Sequence, residues 1–239
     1  MVRRKTFRSK SFGISLDDRV EDIHERNIDI HQFAIYLTGE NIDYYADDDW
    51  SNRDEPGVEY KMSARLIKNL QILSSLDPKR PILIHMKTNG GDWNEGMAIY
   101  DAIRLVSNPV TILNYTHARS MSSIIFQAAD KRIMMPHATF MFHEGTMAVS
   151  GTWKSVVSAV DFAKGDNAEM LDIYIKRMKE RGKYAKIPRP NIEKMMQGLM
   201  NTKEEVYLLA QVTVEWGLAD AIFDGDWQAL RNNITNTPN

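Results

Sequence analysis

The 239 residues contain no cysteine, which excludes disulfides, thiolate-ligated zinc, iron–sulfur clusters and a thiol nucleophile together. Neither sign of charge dominates. Lys and Arg number 30 against 32 Asp and Glu, a formal net charge of -2, so nucleic-acid binding driven by overall basicity has no support. Long hydrophobic runs are missing too: none approaches the ~18 residues of a membrane span, and the first residues lack the apolar stretch of a signal peptide. The glycine-rich phosphate patterns GxxxxGK[ST] and GxGxxG are also absent, which disfavours nucleotide binding. These absences predict a cytoplasmic protein with neither a membrane nor a nucleic-acid partner. What is present, 43% hydrophobic and 26% charged residues, is the balance of a globular chain with a sizeable core, one domain by default.

Arg3, Arg4, Lys5, Arg8 and Lys10 form a basic tract without an acid, and residues 1–18 read as a flexible segment. Phe33 to Leu37 is a brief apolar run suited to a buried strand. Residues 43–59 gather carboxylates and turn formers, from Tyr44 through Asp47, Asp48 and Asp49 to Pro56-Gly57, and read as an exposed acidic excursion. The three consecutive aspartates lack the alternating ligand spacing and central glycine of a calcium loop, and no metal site is expected. A single domain spans residues 19–230, and residues 231–239 form a flexible tail.

Met62, Leu66, Leu70, Leu73 and Leu76 place one apolar stripe on a helix that stops before Pro78. Pro81 to Met86 then reads as a strand, Thr88-Asn89-Gly90-Gly91 as a turn, and Glu95 to Val106 as a helix. The order repeats: strand Val110 to Tyr115, a turn through His117-Ala118-Arg119, and a helix from near Ser120. Alternation of this kind predicts an α/β fold with parallel strands. Two short strands, 132–135 and 139–142, follow. Val156 to Met178 keeps helical spacing with an interruption at Gly165, a long and broken helix that exceeds the needs of a compact core. Residues 192–200 and 204–216 read as helical pieces.

Parallel sheets collect functional groups at the carboxyl ends of their strands, where helix N-termini aim free N–H groups outward. Gly90-Gly91 permits close backbone approach there, for an oxyanion or simply as a turn. Ser120 stands at the mouth of the second such turn, as an exposed hydroxyl or as an ordinary N-cap, with Ser122 and Ser123 competing for the nucleophile's place. Of the six histidines, His143 is best placed as a base because it ends a strand just before Glu144-Gly145.

The ordered segments Thr88-Asn89-Gly90-Gly91, Gly96-Met97-Ala98-Ile99-Tyr100-Asp101, Ala118-Arg119-Ser120-Met121, Lys131-Arg132, Met135-Pro136, Met141-Phe142-His143 and Glu215-Trp216-Gly217-Leu218-Ala219-Asp220 resemble the ClpP peptidases, the proteolytic subunits of ATP-dependent Clp proteases. The resemblance implies a crotonase-like (ClpP) fold with a helical handle at about 150–182, and a homo-oligomer of two stacked heptameric rings. It also implies unfolded polypeptide substrates, an AAA+ unfoldase partner such as ClpX, ClpA or ClpC that alone binds ATP, and no cofactor. Residue by residue, Ser120 matches the nucleophile and His143 the general base, while the N–H groups of Met121 and of the Gly90-Gly91 turn, chiefly Gly91, match the oxyanion hole.

Counting back from Glu215-Trp216-Gly217 puts Glu205 where the family carries its third catalytic residue, an aspartate. Glu204 is next in line and Asn201 a turn away. Asn89 replaces the family's proline before the glycines, Glu144-Gly145 replaces its Gln-Pro, and Arg119 replaces a small residue before the serine. The implied function is a serine endopeptidase of a self-compartmentalising protease; an inactive ring subunit serving as scaffold and a crotonase-type acyl-CoA enzyme are the rival readings.

Overall fold

The computed structural model describes residues 16–38 and 57–232. The basic tract, Asp47, Asp48, Asp49 and most of the acidic excursion, and the tail beyond 232 lie outside the described residues.

The described chain opens with α1 (Leu16–Arg26), β1 (Ile28–Asp29) and β2 (Ala34–Thr38). After Val58 comes α2 (Tyr60–Leu76), then β3 (Ile82–Thr88), α3 (Trp93–Leu105), β4 (Val110–Arg119) and α4 (Met121–Ala128). Next are β5 (Lys131–Met134), β6 (Thr139–Phe142), α5 (Trp153–Glu180), α6 (Arg189–Lys203), β7 (Val206–Leu209), α7 (Ala210–Trp216), β8 (Ala221–Ile222) and α8 (Trp227–Asn232). Glu59 caps α2 by accepting from the Met62 N–H at 2.8 Å, and Asp92 caps α3 by accepting from Glu95 at 3.0 Å. Both satisfy donors that a helix start leaves unpaired.

The sheet runs β1-β2-β3-β4-β5-β8, with β6 joining β4 and β7 joining β6. Among the described residues, strand pairs β2/β3, β3/β4, β4/β5, β4/β6 and β5/β8 are parallel, while β1/β2 and β6/β7 are antiparallel. This is the α/β architecture that the strand–helix alternation predicts. Alternate residues serve opposite faces, as the pleat requires. Ile82, Ile84 and Met86 of β3 enter the main core beneath α2 to α5, whereas Leu83 joins Ala34, Leu113, Ile133 and Leu230 in a smaller cluster on the other face.

Three local expectations change, and one stretch left unread forms a helix. The turn expected at 117–119 is strand: β4 extends to Arg119 because its last three residues find a second partner in β6. The helix read over 204–216 begins at Ala210, since Val206 and Leu208 are buried while Tyr207 and Leu209 are exposed, a period of two rather than 3.6. α5 is continuous through Gly165, where no neighbouring atom crowds the backbone and an isolated glycine costs a helix only ~1 kcal/mol. The polar stretch after residue 16 forms α1, whose partly buried face the sequence pattern does not announce.

α5 is buried from Met170 to Met178, while Trp153, Val157, Val160 and Phe162 toward its start are exposed. The helix therefore leaves the body of the subunit with apolar side chains uncovered. Beneath its buried half, Arg132 (2% exposed) pairs with Asp220 (7%) at 2.7 Å and also donates to Gln127 Oε1 and the Gly217 carbonyl. This network ties β5 and α4 to the turn after α7, and its charges are compensated as burial demands.

Candidate active site

β4 ends at Arg119 and α4 begins at Met121, so Ser120 must reverse the chain alone. It does so at φ 50°, ψ -129°, a conformation costly for a residue with a side chain. The turn is over-determined by hydrogen bonds. The Ser120 N–H donates to the Met141 carbonyl of β6 at 3.1 Å, and the Ser123 N–H donates to the Ser120 carbonyl at 2.9 Å. Ser122 Oγ accepts from the Arg119 N–H and donates to the Arg119 carbonyl, both at 2.8 Å.

These bonds separate the three competing serines. Ser122 and Ser123 are fully buried. Ser123 Oγ donates to the Ser120 carbonyl at 2.6 Å, so the proton between Ser123 Oγ and Tyr174 Oη, also 2.6 Å apart, comes from the tyrosine. Complete burial raises the Tyr174 pKa and keeps that phenol protonated. Ser120 instead points its hydroxyl at His143, with Oγ 2.8 Å from Nε2. With the imidazole proton on Nδ1, Nε2 accepts from the serine, the arrangement a general base requires.

The Gly90-Gly91 turn packs directly on the serine turn. A Cβ on Gly90, whose φ is 104°, would stand 2.6 Å from the Arg119 carbonyl oxygen and 2.8 Å from the Met121 nitrogen. Gly91, at φ 147°, forms a parallel bridge with Val58: the Val58 N–H donates to the Gly90 carbonyl, and the Asp92 N–H donates to the Val58 carbonyl. In such a bridge the N–H and C=O of the middle residue face away from the partner. The Gly91 N–H is thereby directed away from Val58, and the Met121 N–H is one of the unpaired donors at the start of α4.

Glu205 lies on the turn between α6 and β7, just after Glu204, which caps α6 at φ 60°. The β6/β7 ladder ends with Phe142 opposite Val206, so His143 and Glu205 are the next residues outward on the two strands. The side chains nevertheless do not meet. Glu205 Oε2 accepts from Tyr207 Oη at 2.6 Å, and that bond is the main cause of a raised Tyr207 pKa. The Arg119 guanidinium lies 5.3 Å from the centre of the Tyr207 ring. The structure thus brings together Ser120, His143, Met121, Gly90 and Gly91, and directs the Glu205 carboxylate to a tyrosine instead of the imidazole.

Ser120, His143, Gly91 and Met121 open on a cavity of about 720 Å³ walled by Trp93, Ile124, Phe162 and Met170. Asp166 stands at its α5 side with its pKa raised by burial. Apolar side chains alternate with polar ones such as Asn94, Ser158 and Asn167 around the cavity, a mixed lining that suits an organic chain carrying polar groups. Among the described residues no three His, Asp or Glu side chains converge as a metal site requires. Sequence reasoning missed Tyr207 and Tyr174. Nothing local in the sequence marks either: Val206-Tyr207-Leu208-Leu209 carries no alternation of apolar and polar residues.

A family model described as Clp protease matches residues 55–226. The ATP-dependent Clp protease proteolytic subunit of Deinococcus radiodurans is 26% identical over 170 residues, covering 70% of this chain and 76% of that protein. ATP-dependent Clp protease proteolytic subunit 1 of Chlamydia muridarum is 28% identical over 174 residues, 70% of this chain and 82% of its own. Proteolytic subunit 2 of Pseudomonas aeruginosa is 28% identical over 170 residues, with 70% and 77% covered.

Proposed function

Because the chain belongs to the Clp protease family and is a peptidase related to its proteolytic subunits, we propose that it is a serine endopeptidase acting on unfolded polypeptides. The observation that carries this reading is the 2.8 Å contact between Ser120 Oγ and His143 Nε2, at a strained strand-to-helix turn facing a cleft of mixed lining. Ser120 attacks the scissile carbonyl while His143 takes its proton, and the same imidazole returns that proton to the leaving amine. The oxyanion forms between the N–H groups of Met121 and Gly91, each donor lowering the barrier by about 3–4 kcal/mol. An acyl ester on Ser120 remains, and a water molecule activated by His143 hydrolyses it. The outward Gly91 carbonyl suits pairing with the backbone of an extended substrate.

ATP belongs to a partner in this reading, an AAA+ unfoldase that feeds the subunit in the cytoplasm, because the chain lacks a phosphate-binding loop. The exposed Trp153, Val157, Val160 and Phe162 on the protruding start of α5 support its role as a handle that pairs copies into two stacked seven-membered rings, since apolar patches of this kind mark interfaces. The test is hydrolysis of a fluorogenic peptide by the assembled protein. Wild type is expected to turn over and Ser120→Ala to be silent; equal rates in both would sink the proposal.

A further inference from the structure

Three strands set the orientation of Glu205. Arg119 of β4 is paired with Met141 of β6, which is paired with Tyr207 of β7, so these three side chains form a row across one face. His143 and Glu205 follow two residues farther along, one residue past the last ladder pair, Phe142 and Val206. Paired residues of such a ladder carry Cβ atoms about 4.5–5.5 Å apart, which brings the two chain segments close where the ladder ends. Yet the carboxylate points sideways along its own strand to Tyr207 Oη at 2.6 Å. Tyr207 is held at both ends, its hydroxyl by Glu205 and its ring by the Arg119 guanidinium. It has no core role, being 51% exposed.

We propose that Tyr207 is a latch: its hydroxyl keeps the Glu205 carboxylate off the His143 imidazole, so that the third catalytic contact forms only when the tyrosine lets go. This rests on the peptidase reading for its consequence, and on the β-ladder geometry for its existence. In the latched state Ser120 and His143 form a dyad, and His143 lacks the carboxylate that would stabilise the imidazolium formed during attack. Release is a rotation of the Glu205 side chain away from Tyr207, with His143 and Glu205 standing just beyond the last ladder pair, Phe142 and Val206. Tyr207 is a positioning residue, and its effect passes through Glu205.

The experiment uses the assembled full chain as wild type, Tyr207→Phe, Glu205→Gln and the double variant. Phenylalanine keeps the ring under Arg119 and removes only the hydroxyl. Two quantities are read: kcat on a short fluorogenic peptide, and the imidazole N–H resonance of His143, assigned by its loss in His143→Ala. Tyr207→Phe is expected to raise kcat about three- to tenfold, the range that the net strength of one ordinary exposed hydrogen bond corresponds to, and to produce a new downfield N–H resonance. Glu205→Gln in the same background is expected to erase both. An unchanged resonance in Tyr207→Phe, or a gain that survives Glu205→Gln, overturns the latch. A new resonance without hydrolysis in any variant upholds the latch and defeats the peptidase reading instead.

Discussion

Ser120 occupies backbone geometry that costs on the order of 1–3 kcal/mol, and its neighbours hold it there. Gly90 bears on the serine turn most directly, because its added Cβ would meet both the Arg119 carbonyl and the Met121 nitrogen. Gly90→Ala is therefore expected to shift the serine turn and lower peptide hydrolysis by about a hundredfold or more, the scale of losing an oxyanion donor. Steady-state kinetics on protein with an unchanged circular dichroism spectrum checks this. Ser120, His143 and Gly90-Gly91 were legible in the sequence because each follows a strand and stands next to a turn or helix start. The orientation of Glu205 was not, because it depends on Tyr207 and Arg119, residues brought alongside by strand pairing rather than by sequence.

At the scale of elements, α5 reaches the nucleophile through a relay: Tyr174 donates to Ser123 Oγ, which donates to the Ser120 carbonyl. Tyr174→Phe leaves the serine oxygen with one partner fewer in a fully buried place. The expected cost is about 1–3 kcal/mol, read as a lower urea midpoint at unchanged slope. A midpoint equal to wild type would remove α5 from the support of the site. Helix α2 was legible from its stripe of Met62, Leu66, Leu70 and Leu73, all buried. β7 was not, because four residues give too short a window for periodicity and the adjoining α7 masks the change from period 3.6 to period 2. The end of β4 escaped for another reason: its last residues are held as strand by pairing with β6, some twenty residues later, and with β3 across a register shift.

Two groups report on the molecule as a whole. Removing Asp220 strands Arg132 as a buried charge, so Asp220→Ala is expected to destabilise the fold by about 3–5 kcal/mol, measurable by chemical denaturation. Arg132 and Asp220 stand far apart in the sequence, and their pairing was not legible there. His85 stacks on Tyr36 and bonds Tyr115 Oη at 2.9 Å, and burial, helped by the charge of Arg231, lowers its pKa from 6.5 to about 4. The unfolded chain binds this proton below 6.5, while the folded one refuses it until about 4. Stability from this group is therefore complete above the higher value and falls as pH drops toward the lower one, by about 3 kcal/mol in all. Urea midpoints across that interval should fall less steeply for His85→Phe than for wild type.

The peptidase proposal requires Ser120 to be an activated nucleophile, and labelling of the assembled protein with a fluorophosphonate, with mass-spectrometric location of the adduct, reads that requirement. An adduct on Ser120 is expected that disappears in Ser120→Ala and is strongly slowed in His143→Ala. An assembled protein that takes no adduct at Ser120, or labels equally well without His143, contradicts the proposal.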